Sequence, residues 1–227
     1  MSDGRDGSAG ADDGGSAPSI RAVVFDLGGV LIDWNPRYLY RRLFGGDDDA
    51  MEAFLAEVTT QAWNARQDAG RSWAEAIDEL SREHPDRREL IEAYWTRWPE
   101  TLGGAIDETV AVLRDLKAAG VPVYALSNWS AETFPVALER FPFLDWFDGI
   151  VVSGEVGIAK PDERIFRHLV ERFALEPATT LFIDDSETNV EAAEAAGLRA
   201  VRFEDAASLR RSLMASGLLD GAPPGDR

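Results

Sequence analysis

The chain contains no cysteine, which excludes disulfide staples and thiolate chemistry and fits a reducing cytoplasm. No apolar stretch approaches the roughly 20 residues that a membrane span needs, and the first residues lack the basic-then-apolar pattern of an export signal. Positive charge is scarce: 23 Lys and Arg stand against 41 Asp and Glu, for a formal net charge of -18. Nucleic acid would be repelled by such a field, so neither it nor a membrane is expected as a partner. A small anionic substrate is compatible, because one lysine or metal ion can invert the field inside a single cleft. There is no internal repeat. Residues 1–19 and 220–227 have almost no large apolar side chain to offset the entropy of ordering, and are expected to be disordered tails.

Between the tails, three apolar runs end in polar groups. Ala22-Val23-Val24-Phe25 delivers Asp26 into the glycine-rich turn Leu27-Gly28-Gly29-Val30; Val121 to Leu126 precedes Ser127-Asn128; and Leu181-Phe182-Ile183 precedes Asp184-Asp185. Parallel strands buried on both faces read as such continuous runs, and open α/β sheets place their sites at the carboxyl ends of those strands. Strands are expected near 21–26, 121–127, 149–152, 180–184 and 199–203, alternating with helices near 105–119, 130–140, 161–174, 187–196 and 205–216. Gly120 and Gly197 fall just past two of these helices, where a left-handed C-terminal cap is wanted.

One connection is too long. About a hundred residues separate the first strand from the second, whereas a crossover needs little more than one helix. The excess, residues 36–100, is rich in helix formers, with helices expected at 36–44, 47–57, 72–83 and 86–97, and is read as a small helical cap inserted into a core of 20–35 and 101–219. It holds Trp63, Trp73, Trp95 and Trp98, four of the chain's seven tryptophans. A unit this small needs large side chains to make a core at all; the sharper alternative is that Trp34 or Trp63 lines a substrate pocket facing Asp26.

Phe25-Asp26-Leu27-Gly28-Gly29-Val30, Leu126-Ser127-Asn128, Lys160-Pro161 and Phe182-Ile183-Asp184-Asp185, in that order, resemble the four motifs of the haloacid dehalogenase superfamily, in a member with a helical cap after the first motif. The resemblance runs from Ile20 to about Leu219 and implies a Rossmann-like α/β core with a parallel sheet. It also implies hydrolysis of a small phosphorylated metabolite. Asp26 would be the nucleophile, since a carboxylate can split one hard step into two through a covalent intermediate. Lys160 would touch both nucleophile and phosphate, with Pro161 beginning the next helix. Ser127 and Asn128, ahead of a helix beginning near Ala131, would cradle the phosphate. The ligands of a Mg²⁺ ion would be Asp26, the main-chain carbonyl of Gly28 and Asp185, with Asp184 nearby or linked through water; Asn189 would support the site. Three carboxylates so close repel by roughly 4 kcal/mol per pair even at an effective dielectric near 20, and an all-oxygen set of this kind suits Mg²⁺.

The pattern departs from the family's phosphatases at one position. Two residues after the nucleophile those enzymes carry a second Asp that protonates the leaving group, and here Gly28 stands there. General acid help is worth about 10²–10⁴ in rate, so the acid must come from the cap or a water, or the leaving group must need little help, as with a sugar-1-phosphate. A metal-independent 2-haloacid dehalogenase needs no acid, but that branch usually has Ser and Asn in place of Asp184-Asp185 and Thr in place of Val30. A scaffold that has lost catalysis is the third alternative, against which the retained Asp26, Ser127, Lys160 and acidic pair argue.

Overall fold

A computed structural model of the chain describes residues 18–220, so the two expected tails lie almost wholly outside the described residues. Its strands are β1 (Ala22–Phe25), β2 (Ile32–Trp34), β3 (Leu102–Ala105), β4 (Val123–Ser127), β5 (Gly149–Val152), β6 (Thr180–Asp184) and β7 (Arg199–Arg202). Five of them form one parallel sheet in the order β5-β4-β1-β6-β7. Every residue of β1 and β6 is buried, which is why both read as unbroken apolar runs. The chain builds outward from β1 through β4 to β5, then crosses back to β6 on the other side of β1. The carboxyl end of β1 is therefore the switch point, where diverging connections leave a crevice.

Around the sheet lie α6 (Asp107–Ala118), α7 (Phe134–Arg140), α8 (Ser153–Val156), α9 (Glu163–Phe173), α10 (Glu187–Ala195) and α11 (Ala206–Ala215), after α1 (Arg37–Leu43), α2 (Asp48–Glu57), α3 (Gln61–Asp68), α4 (Trp73–Glu83) and α5 (Arg88–Thr96). Gly120 and Gly197 take φ of 75° and 88° behind α6 and α10, as the C-terminal caps require. Among the helix starts that differ from expectation are those of α6 and α9. Residue 105 belongs to β3, and α6 begins only at Asp107. Pro161 does not begin a helix; Asp162 is the N-cap of α9, accepting from the Arg164 N–H.

The helices α1–α5 all fall between β2 and β3, an antiparallel pair that was not expected and that sets the two ends of this insertion side by side, Ile32 opposite Ala105. Asp47, Thr60 and Ser72 cap α2, α3 and α4 with their side-chain oxygens. Rings fill its centre: Trp73 lies 5.6 Å from Trp63, 5.3 Å from Tyr94 and 5.5 Å from Trp95, centroid to centroid. These tryptophans are core residues of the insertion, and the buried Trp63 is not among the residues that line the cleft above Gly28. No helix among the described residues is long and apolar enough to cross a membrane.

Candidate active site

The Asp26 N–H donates to the Ile183 carbonyl at 2.8 Å, one step past the Phe25–Ile183 pair, which sets Asp26 level with Asp184 at the carboxyl edge of the sheet. Carboxylate oxygens of Asp26, Asp184 and Asp185 come within 4.8 Å of one another. Lys160, one of two lysines in the chain, reaches between them with a wholly buried side chain. Its Nζ lies 3.0 Å from Asp26 Oδ1 and donates to Asp184 Oδ2 at 2.6 Å and to the Leu126 carbonyl at 2.9 Å. Burial opposes the ammonium charge, but the two carboxylates prevail and hold the Lys160 pKa above its ordinary value. For Asp26 burial prevails: its carboxyl is pushed up to about 7, Lys160 offsetting part of the shift and Asp184 adding to it.

The three acids are not equivalent. Asp184 is saturated, since besides Lys160 it accepts from the Ser186 N–H at 2.9 Å and from Asn189 Nδ2 at 3.0 and 3.2 Å. Asp185 is exposed at the rim of the cluster; its pKa is raised by partial desolvation and by Asp184. Its carboxylate leans on Gly29, where φ of +76° favours glycine; a Cβ there would stand 2.5 Å from Asp185 Oδ2, so the carboxylate would have to shift. Gly28 is different: a Cβ would meet nothing within 4 Å. Formally, three carboxylates and one ammonium leave -3 + 1 = -2, the charge one divalent cation cancels. The donor set is all oxygen, with Asp26 and Asp185 the acids not already saturated, which fits Mg²⁺.

Ser127 is the buried last residue of β4. Asn128 spends its side chain on the lysine loop, Nδ2 donating to the Lys160 carbonyl at 2.9 Å and Oδ1 accepting the Lys160 N–H at 2.8 Å. It thereby fixes where Lys160 leaves the main chain. The expected helix start near Ala131 is displaced to Phe134, and α7 has only seven residues. Its N-terminus therefore adds nothing to a phosphate cradle at 127–128; in between, the Trp129 N–H is taken by Ser153 Oγ.

A small cleft opens on this edge, lined by Gly28, Trp34, Asn64, Asp68, Trp98, Asn128, Trp129 and Thr133. Trp34 was expected there. Asn64, Asp68, Trp98 and Trp129 were not, because two come from the polar helix α3 and the others look like ordinary core aromatics in sequence. The insertion is fastened over the cleft by Trp73, whose Nε1 donates to Ser130 Oγ and whose N–H donates to Glu132.

Comparison with known proteins adds a family and two chemistries. The family model for haloacid dehalogenase-like hydrolases matches residues 20–197. The sesquiterpene phosphatase astK of Aspergillus oryzae is 27% identical, with 82% of this chain and 91% of that protein covered. (S)-2-haloacid dehalogenase 1 of a Pseudomonas species is also 27% identical, covering 80% of this chain and 81% of the relative. Among solved structures, a HAD family enzyme from Bacteroides thetaiotaomicron, crystallised with magnesium and inorganic phosphate, superposes with a TM-score of 0.62 at 27% identity, over 84% of this chain and 98% of that one.

Proposed function

The chain belongs to the haloacid dehalogenase-like hydrolase family, and from that premise we propose that it is a Mg²⁺-dependent phosphomonoesterase working through a phosphorylated Asp26. The observation that carries the choice between phosphatase and dehalogenase is the residual charge of -2 around Asp26, with Asp184-Asp185 where a metal-free dehalogenase keeps neutral side chains. Two of the three carboxylates are buried, and a charge of that size beside them is costly unless something positive neutralises it. Asp26, Asp185 and the Gly28 carbonyl would hold the ion, with Asp184 supporting through water; when bound, Mg²⁺ supplies the charge that keeps Asp26 ionised and neutralises phosphoryl oxygens.

The chain's own groups do the rest. A carboxylate oxygen of Asp26 attacks phosphorus, and the bond to the leaving oxygen breaks. Lys160 holds Asp26 in place and faces the developing phosphoryl charge, a preorganised cation in a site from which water is largely excluded. The Ser127 hydroxyl and the Asn128 main chain bind the phosphoryl group on the β4 side. The alcohol part lies in the cleft against Trp34, Trp98 and Trp129, with Asn64 for a polar edge. A sugar phosphate, apolar on one ring face and hydroxylated at its rim, meets both kinds of wall.

The test is phosphate release from 4-nitrophenyl phosphate with Mg²⁺ and with chelator, beside halide release from 2-chloropropionate. Phosphate release that the chelator abolishes supports the reading. Metal-independent halide release refutes it.

A further inference from the structure

With Gly28 at the position of the usual acid, the reaction has no proton donor in the first motif. The cleft that opens on Gly28 receives one carboxyl group from the helical insertion, that of Asp68. We propose that Asp68 is the general acid–base of this site, protonating the leaving oxygen and later deprotonating the attacking water; this rests on Asp26 being the nucleophile.

Asp68 is the last residue of α3 and is held on both sides. Asn64, one turn earlier, donates from Nδ2 to Asp68 Oδ2 at 3.1 Å, and the Asp68 carbonyl accepts the hydroxyl of Ser153 from the core. Gly70 follows with φ of +101° and approaches the main chain of Gly154 and Gly157, so the end of α3 is seated against α8. The groups that face the carboxyl are Asp26 across the cleft, Tyr94 of α5 and the Ser130 N–H. Arg71, three residues on, is spent on Gln67, Glu79 and the Trp63 carbonyl. Burial therefore dominates, opposed by the Ser130 N–H and reinforced by Asp26, and it lifts Asp68 to about 7. A helix C-terminus also disfavours an anion. A carboxyl partly protonated near neutrality suits a general acid.

The atoms balance. As Asp26 bonds to phosphorus, the leaving oxygen keeps the electron pair of the broken P–O bond and takes the proton of Asp68, giving free alcohol, phospho-Asp26 and an Asp68 carboxylate. That carboxylate takes a proton from water as the water oxygen attacks phosphorus and the bond from phosphorus to the Asp26 oxygen breaks, its electron pair returning to the Asp26 carboxylate. Inorganic phosphate leaves, and Asp26 and protonated Asp68 are restored.

The experiment compares benzyl phosphate, whose alkoxide needs a proton, with 4-nitrophenyl phosphate, whose phenolate leaves readily without one, both with Mg²⁺. Asp68→Asn is expected to lower kcat/KM on benzyl phosphate by about 10²–10⁴, and on the nitrophenyl ester by a factor at least roughly tenfold smaller. Because residue 28 has open space for a side chain, adding Gly28→Asp to Asp68→Asn should restore the benzyl ester preferentially. Equal losses on the two esters, or no loss on the benzyl ester, overturn the assignment. If Asp68→Asn does not fold, the wild-type pH profiles decide. An alkaline limb in kcat/KM for the benzyl ester alone supports Asp68; the same limb with both esters, or with neither, overturns it. Wild-type protein that releases phosphate from neither ester fails earlier, at Asp26, and removes both readings together.

Discussion

Replacing Lys160 by methionine removes one charge from the middle of the site while nearly conserving side-chain volume. The lysine side chain is wholly buried and serves two carboxylates and a carbonyl, and Asp184 beneath it is as buried as the lysine. Breaking such a pair from one side leaves an uncompensated buried charge and costs about 3–5 kcal/mol. A solvent-exposed pair costs about 0–1 kcal/mol; Arg88–Glu92, with side chains 66% and 41% exposed, is the internal control. For a chain of this size each kcal/mol moves Tm by about 2–4 °C, so Lys160→Met should melt about 6–20 °C below wild type.

The sign of its pH dependence follows from Asp26. Its folded pKa is already raised, and without Lys160 it rises further. The folded state then binds the proton more tightly than the unfolded state, so stability falls as pH climbs from about 4 through the folded pKa. Urea unfolding of metal-free protein at pH 5 and pH 8 reads both quantities. The deficit of Lys160→Met should be larger at pH 8, and adding Asp184→Asn should recover part of it through coupling of the pair. A deficit below about 1 kcal/mol, or one that grows toward acid, refutes the charge argument made for this site.

Three further outcomes follow from the same geometry. Mg²⁺ at about 100 times its Kd at pH 8 should stabilise the fold by about 2.7 kcal/mol, roughly 5–11 °C in a thermal melt, and the same Mg²⁺ concentration should stabilise it by less at pH 5.5, because protons on Asp26 and Asp185, both raised in pKa, compete with the ion. Asp26→Asn should abolish phosphate release yet leave metal-free protein at least as stable as wild type at pH 8, since the amide carries no charge to desolvate; urea melts check the second half. Gly29→Ala should cost about 1–2 kcal/mol from its left-handed backbone alone and weaken Mg²⁺ binding in calorimetry, because the new Cβ collides with the Asp185 carboxylate.

What the sequence discloses and what it hides divide along a physical line. Strands buried on both faces leave unbroken apolar runs, so β1, β4 and β6 are legible, and so are the polar residues at their ends. The antiparallel pair is not: β2 has three residues, and β3 is Leu-Gly-Gly-Ala, which carries no alternation. Helix α3 reads Gln-Ala-Trp-Asn-Ala-Arg-Gln-Asp, with too few apolar residues to show a period; its signals are Thr60 at the N-cap and Gly70 behind it.

Asp68 inherits that invisibility. In sequence it is one acid among 41, and only the docking of α3 onto Ser130 and Ser153 brings it to the cleft beside Gly28. The loss at position 28 is local and can be read from one motif. Its compensation comes from another layer of the molecule, about forty residues away along the chain. Gly28 is not forced by space, since a side chain would fit there. The end of α3 is held on the core by Ser153 and the Ser130 N–H, so the position of a donor at residue 68 is set by how the insertion is seated, whereas residue 28 belongs to the core itself.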